Sequence, residues 1–179
     1  MDRLAVYTPP HHAHDALDRI WSDRTLPHNM IRKLSRFPPV VFGLPVVVGL
    51  VANMFLRRSF VSTPAALGAG IPLVVAGSAL VAWAFRTMLA HGQTPDARHP
   101  KTKVVTSGPF RISRNPMYLG FEIAASGAGL VMNSVPVLVS VAASAVLTQV
   151  LVVYQEERYL ASKFPDDYAA YRRRVRRWL

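Results

Sequence analysis

Two short runs hold most of the polar chemistry of this chain. The first is G-P-F-R-I-S-R-N-P-M-Y-L-G, from Gly108 to Gly120, and the second is the pair Glu156-Glu157. Arg111 and Arg114 stand three residues apart, so a helical turn puts them on one face, where two guanidinium groups can bind a carboxylate bidentately. Asn115 is placed to cap a helix that begins at Pro116, and Tyr118 follows within its first turn. Glu156 and Glu157 close an apolar run, and a charge near hydrocarbon is expensive unless it faces a partner or a wet cavity. Glu122 lies two turns into another apolar run. Each feature also has a plainer reading. The basic block serves equally as a topogenic signal, the Glu pair as a solvated helix turn neutralised by Arg158, and Glu122 as half of an ion pair with Arg111 or Arg114.

The background of these residues is unusual. The chain has 179 residues, of which 51% are hydrophobic, yet its formal charge is +11. A soluble domain is rarely so apolar and so basic at once, whereas a membrane protein with charged loops is. The basic residues flank apolar spans, so anionic lipid rather than nucleic acid is the expected partner. There is no cysteine, which removes disulfides, thiolate catalysis and cysteine metal sites. His11, His12 and His14 sit beside prolines with no second cluster, and no metal site is expected. No basic n-region followed by an apolar h-region marks a cleaved signal.

The elements that must position the polar runs follow from hydropathy. Residues 1–36 form a polar segment in which Leu17, Ile20 and Trp21 have the spacing of an interfacial amphipathic helix or of a helix packed on the protein's own surface. Residues 37–179 form one domain, all-α and polytopic, with spans predicted near 39–56, 64–89, 116–132 and 135–154. Asn133-Ser134 is short enough to make spans three and four an antiparallel hairpin. The connection from His91 to Ser113 is polar, with a brief extended piece at residues 102–106. The fourth span continues past the membrane surface until Phe164-Pro165, and residues 166–179 give a short arginine-rich helix. Nineteen Lys and Arg fall in the N-terminal segment, the central connection and the C-terminal region, against Arg57 and Arg58 on the other side. This bias places both termini and the central loop in the cytoplasm, at a bacterial-type inner membrane or its equivalent.

With these runs in order, the chain resembles the isoprenylcysteine carboxyl methyltransferases and the related phospholipid methyltransferases. V-V-T followed by G-P-F-R-I-S-R-N-P-M-Y-L-G is similar to their R-H-P-x-Y or N-P-M-Y motif, which Arg114, Asn115, Pro116 and Tyr118 match. A membrane hairpin and a Glu-Glu pair follow, matched by Glu156 and Glu157. The family's F-G-x-x-Y-x-x-Y tail stands here as Phe164, Pro165, Tyr168 and Tyr171, and Gly68 and Gly70 resemble a small-residue G-x-G of the phospholipid branch. The resemblance covers residues 65–179. Asn115 in place of histidine lies closer to the phospholipid branch.

The resemblance implies S-adenosylmethionine as methyl donor and S-adenosylhomocysteine as product, held by a cytoplasmic C-terminal region. It implies cofactor contacts at Gly70, Val105, Gly108, Arg111, Arg114, Asn115, Pro116, Tyr118, Glu156 and Glu157. Chemically, Glu156 or Glu157 suits the ammonium and Arg111 or Arg114 the carboxylate. Asn115, Tyr118 and the backbone near 105–108 suit ribose and adenine. The acceptor is expected to be lipophilic, either a prenylated cysteine carboxylate or a lipid amine. An amine must lose a proton, for which Glu122 is the candidate base. The rival readings are an NADPH-dependent membrane reductase of the sterol reductase type and a non-catalytic scaffold of the same fold.

Overall fold

The computed structural model describes residues 38–56, 59–94 and 100–179. The interfacial helix expected within residues 1–36, and the basic pair Arg57-Arg58, lie outside the described residues. The described residues form helices and no strand: α1 (Pro38–Phe55), α2 (Thr63–Ala90), α3 (Pro116–Val131), α4 (Val135–Thr148), α5 (Tyr154–Lys163) and α6 (Pro165–Arg174). A 3₁₀ turn, Gly108–Arg111, precedes α3, and a π turn, Gln149–Val153, joins α4 to α5. Residues 102–106 contain no strand.

Two helices are long and apolar enough to cross a membrane: Thr63–Ala90, and the continuous Val135–Lys163. α3 has 16 residues, a rise of roughly 24 Å against a hydrocarbon core of roughly 30 Å. Large apolar side chains stay on the outside of these helices, among them Val47, Ile71, Val75, Trp83, Val139 and Val146. A face of that kind suits lipid and not water.

The helices meet through small residues. α2 and α3 approach until backbones touch: a Cβ added at Gly77 would stand 2.6 Å from the Gly120 carbonyl oxygen, and one at Gly127 would stand 2.7 Å from that of Gly70. Lipid tails are as apolar as leucine, so close packing and not water exclusion must hold such a pair together. On the other side α1 packs against α4, with Gly49 under the Ser140 side chain. The Ser144 hydroxyl donates to the Phe42 carbonyl at 3.1 Å. Phe42 also meets Phe121 of α3, ring centroids 5.5 Å apart.

The α3–α4 hairpin forms as its short connection predicts. Asn133 takes a left-handed φ of 50°, which asparagine tolerates. Its side chain accepts from the Phe60 and Val61 amides and donates to the Val61 carbonyl. Ser134 caps α4 by accepting from the Val137 amide.

The α2–α3 crossing gives a direct stability test. Gly120→Val puts methyl groups against the Gly77 carbonyl and Val81, and overpacking of this kind costs about 1–3 kcal/mol. Gly68, whose Cβ would meet nothing within 4 Å, should accept alanine within about 0.5 kcal/mol. Thermal unfolding in detergent should show a lower midpoint for the first variant and not for the second.

Candidate functional site

α2 ends in a glycine stop. The Gly92 amide donates to the Leu89 carbonyl and the Gln93 amide to that of Met88, with Gly92 at φ 68°. This stop aims Gln93 inward, where it is buried, and its amide donates to the Lys103 carbonyl at 2.8 Å. His91 bonds the Thr87 carbonyl and, at 3.1 Å, the Ser107 hydroxyl. The connection after residue 100 is therefore fastened to the end of α2. Lys101 is buried within it and donates to the Thr94 carbonyl at 2.7 Å.

Gly108 then turns the chain at φ 58°, close against Thr87 and Trp83. Only glycine meets both demands, the left-handed backbone and the lack of room. The 3₁₀ turn delivers Ser113, Arg114 and Asn115 to the start of α3. Asn115 is expected to cap that helix, but its side chain makes no cap hydrogen bond. It donates to the Arg177 carbonyl at 3.3 Å instead. The physical reason is competition: the tail carbonyl supplies an acceptor for the buried amide group, and Ser113 Oγ accepts from the Asn115 backbone amide at 3.1 Å.

These pieces line a cleft bounded by the end of α2, the residue 101–105 segment, the start of α3, α5 and α6. Its empty space, the open mouth included, is about 520 Å³. Opposite charges face it. Glu157 is buried and bridged by Arg114 at 3.2 Å and by Arg177 at 2.8 Å. Arg114 also donates to the Tyr168 hydroxyl at 3.2 Å, while its Nε is buried with no hydrogen-bond partner among the described residues. Glu156 accepts from the Tyr118 hydroxyl at 3.4 Å, and Lys101 is its nearby cation. Phe110, Tyr168, Tyr171, Met88 and Leu160 supply apolar and aromatic surface.

On α6 the tyrosines are set by burial. Tyr171 donates to the Phe110 carbonyl at 2.7 Å, and Tyr168 meets it edge to face. Burial pushes the Tyr171 hydroxyl well above the usual phenol range, and the neighbouring Tyr168 adds to the effect. Tyr168 is raised as well, first by burial and then by Glu157, with Arg114 pulling the other way. Hydrogen bonds to Glu157 hold the proton of Arg177 more firmly than usual.

The model for phospholipid methyltransferases matches residues 65–167. The chain belongs to the phospholipid methyltransferase family. The helices long and apolar enough to span agree with the membrane setting of that family. The chain is also similar to the cobalt-zinc-cadmium resistance protein CzcN of Cupriavidus metallidurans, 37% identical over 72 residues. That likeness covers 40% of this chain and 33% of the relative, so the chain spans about a third of the curated protein it matches. No solved structure matches the chain.

Of the residues singled out from sequence, Val105, Arg114, Asn115, Glu156 and Glu157 line the cleft. Tyr118 reaches it through Glu156, and Pro116 is fully buried at the start of α3. Gly108 shapes the turn beside the cleft. Arg111 is exposed and outside the lining. Gly70 sits in the α2–α3 crossing, 18 residues before Met88 and so roughly 27 Å along the helix from the cleft. Glu122 lies one helical turn beyond Tyr118, facing Ser144, with both carboxylate oxygens buried and without a hydrogen-bond partner among the described residues. It forms no ion pair with Arg111 or Arg114 among those residues.

Sequence reasoning missed Gln93, Lys101 and Arg177 as neighbours of these groups. The Gly92-Gln93 stop was the available signal for the first. Nothing local marked the other two.

Tyr171→Phe removes a buried hydrogen bond, which should cost about 1 kcal/mol. The folded-state pKa is raised, so the proton is held more tightly in the native state. Stability is then full below the unfolded value near 10 and falls as pH rises beyond it. Unfolding followed between pH 8 and 11 should show a shallower alkaline loss in Tyr171→Phe than in the wild type.

Proposed function

We propose that this chain is an integral membrane methyltransferase that binds S-adenosylmethionine in the cleft and methylates a lipophilic amine. The observation that carries the cofactor reading is that Glu156, which no arginine bridges among the described residues, lines one cleft together with the cations Lys101 and Arg114. The donor set fits the ligand. An ammonium suits Glu156, since Glu157 is already shared by two arginines. A carboxylate suits Lys101 and the unpartnered Nε of Arg114. Phe110 and the α6 tyrosines suit the adenine face, and Gln93 and Asn115 suit ribose hydroxyls. S-adenosylmethionine supplies a methyl group on a sulfonium, ready for in-line attack.

α1 to α4 serve in this reading as four spans, with both termini, the central connection and α6 on the cytoplasmic side. The connection and the region after α4 carry the basic charge that such a side prefers. An acceptor with an acyl or prenyl body reaches the site from the bilayer, and the cofactor from water.

The acceptor reading rests on Glu122. Its two oxygens, Gln149 Oε1 and Thr148 Oγ1 are all buried without partners among the described residues. Such a group of acceptors calls for a ligand rich in N–H donors. A protonated amine meets that demand and a carboxylate does not. Glu122 takes the proton of the ammonium and so frees the nitrogen lone pair for attack. Holding the two reactants in line supplies much of the acceleration.

Calorimetry with S-adenosylhomocysteine tests the first half, and wild-type binding in a detergent that preserves the fold is the expected result. Glu156→Gln should weaken binding about tenfold, the scale of one charged hydrogen bond. An NADPH-dependent reductase or a silent scaffold would show no such binding. The second half is read from labelled methyl transfer to vesicles containing phosphatidylethanolamine. Glu122→Gln should bind S-adenosylhomocysteine as the wild type does yet lose roughly 10²–10⁴ in methyl transfer. Full activity in that variant rules out Glu122 as the base.

A further inference from the structure

After α6 the chain becomes extended at Val175, φ −126° and ψ 130°, and runs back across the Arg114-Asn115 corner. Its backbone is fastened there three times. The Arg176 carbonyl accepts from the Arg114 amide at 3.0 Å. The Arg177 carbonyl accepts from the Ser113 hydroxyl at 3.1 Å and from the Asn115 side chain at 3.3 Å. The Arg177 side chain then turns inward. Its Nη2 donates to Glu157 Oε2 at 2.8 Å and its Nε lies 3.2 Å from both carboxylate oxygens. The guanidinium lies over the Tyr154 ring, 4.6 Å from its centroid.

We propose that Arg177 is a positioning residue of the cofactor cleft, and that residues 175–177 are a fixed strap that braces its lining residues Arg114, Asn115 and Glu157 from behind. The inference rests on the reading of the cleft as an S-adenosylmethionine site. Glu157 has both oxygens engaged by protein cations, Arg114 on Oε1 and Arg177 across the pair. Two consequences follow for a ligand. Glu157 does not compete with Glu156 for an incoming ammonium, and Arg114 is held at one angle by Glu157 and Tyr168. Without Arg177, Glu157 keeps a single cation and becomes a second, misplaced anion in the site. Arg114 then loses the balance that orients it. A basic tail that merely neutralised acidic residues or lipid would need neither the three backbone contacts nor the ring beneath the guanidinium. The two-point contact also requires a guanidinium, since the single ammonium of lysine cannot span both oxygens.

The test uses the full chain in detergent, with S-adenosylhomocysteine affinity as the readout. Arg177→Met keeps an apolar stem on Tyr154 and removes the fork, and should weaken binding by about tenfold or more. Guanidinium ion added at millimolar concentration should restore part of that loss in the variant and leave the wild type unchanged, a response that lost packing alone does not give. Should Arg177→Met lose its melting transition, Arg177→Lys carries the test: it keeps the charge and is expected to bind several-fold more weakly than the wild type. Affinity equal to or tighter than wild type, in either folded variant, overturns the assignment, and the tighter result would make the strap inhibitory. Absence of binding by the wild-type chain overturns the cofactor reading itself, and this assignment with it. Binding by the wild type with unchanged variants overturns the strap alone.

Discussion

The Glu157 carboxylate is where separate parts of the chain are tied together. It sits on α5, takes Arg114 from the corner before α3, and takes Arg177 from the segment after α6. Arg114 extends the tie to Tyr168 on α6. Removing charges from water costs several kcal/mol per ion, so a buried carboxylate persists only when partners offset that cost. Two guanidinium groups do so here. The arrangement is therefore a weak source of net stability and a strong source of geometry. Any of the partners placed wrongly would leave a buried charge alone, and that penalty selects one relative placement of corner, helix and strap.

The tie is effective only because the membrane-embedded part brings the corner to the right height. α2 and α3 touch backbone to backbone at Gly77 and Gly120. From that crossing α2 runs on to Met88 and Gln93, while α3 runs back to Asn115. The ends reach the same level, so that Gly108 can seat against Thr87 and Trp83. Small residues in the apolar span thus set the distance between polar groups at its end. In lipid, where water drives no helix association, this contact is one of the few forces available to do it.

These relations divide what the sequence made legible from what it did not. The R-N-P-M-Y run and the Glu pair were readable because apolar helices make isolated charges conspicuous. The hairpin was readable from a connection two residues long, and the family from the order of the motifs. Asn115 stands at the N-cap position as expected, but its side chain does not cap, because local rules know nothing of the Arg177 carbonyl, which lies 62 positions away. Lys101 and Arg177 looked like members of basic blocks. Their distinction is a place beside a carboxylate, which only tertiary contact creates. Gly70, a small residue whose place in a motif suggested a ligand, has Gly127 and Val131 as neighbours, a packing contact that no local pattern announces.

The π turn at Gln149–Val153 had no signal at all, and it explains where the Glu pair points. On α4 the buried positions run Val137, Ser140, Val141, Ser144 and Thr148, the stripe of an ordinary helix. Continued without interruption, that stripe would pass through Val152 and Gln155 to Tyr159. Val152 is still buried, but Tyr159 is exposed, and the buried stripe moves over to Val153 and Glu157. One extra residue in the turn rotates the helix beyond it by about 100°. That rotation carries Glu157 to Arg114 and turns the following face toward α6. Gln149 and Thr148, at the start of the turn, have buried oxygens unpartnered among the described residues. A single irregularity in one helix therefore separates two acidic neighbourhoods: Glu157 saturated by cations at the cleft, and Glu122 deeper in the apolar layer with acceptors to spare. In the proposed reaction that separation keeps the roles apart: Glu157 holds the cleft cations in place, while Glu122 is left free for an acceptor from the apolar side.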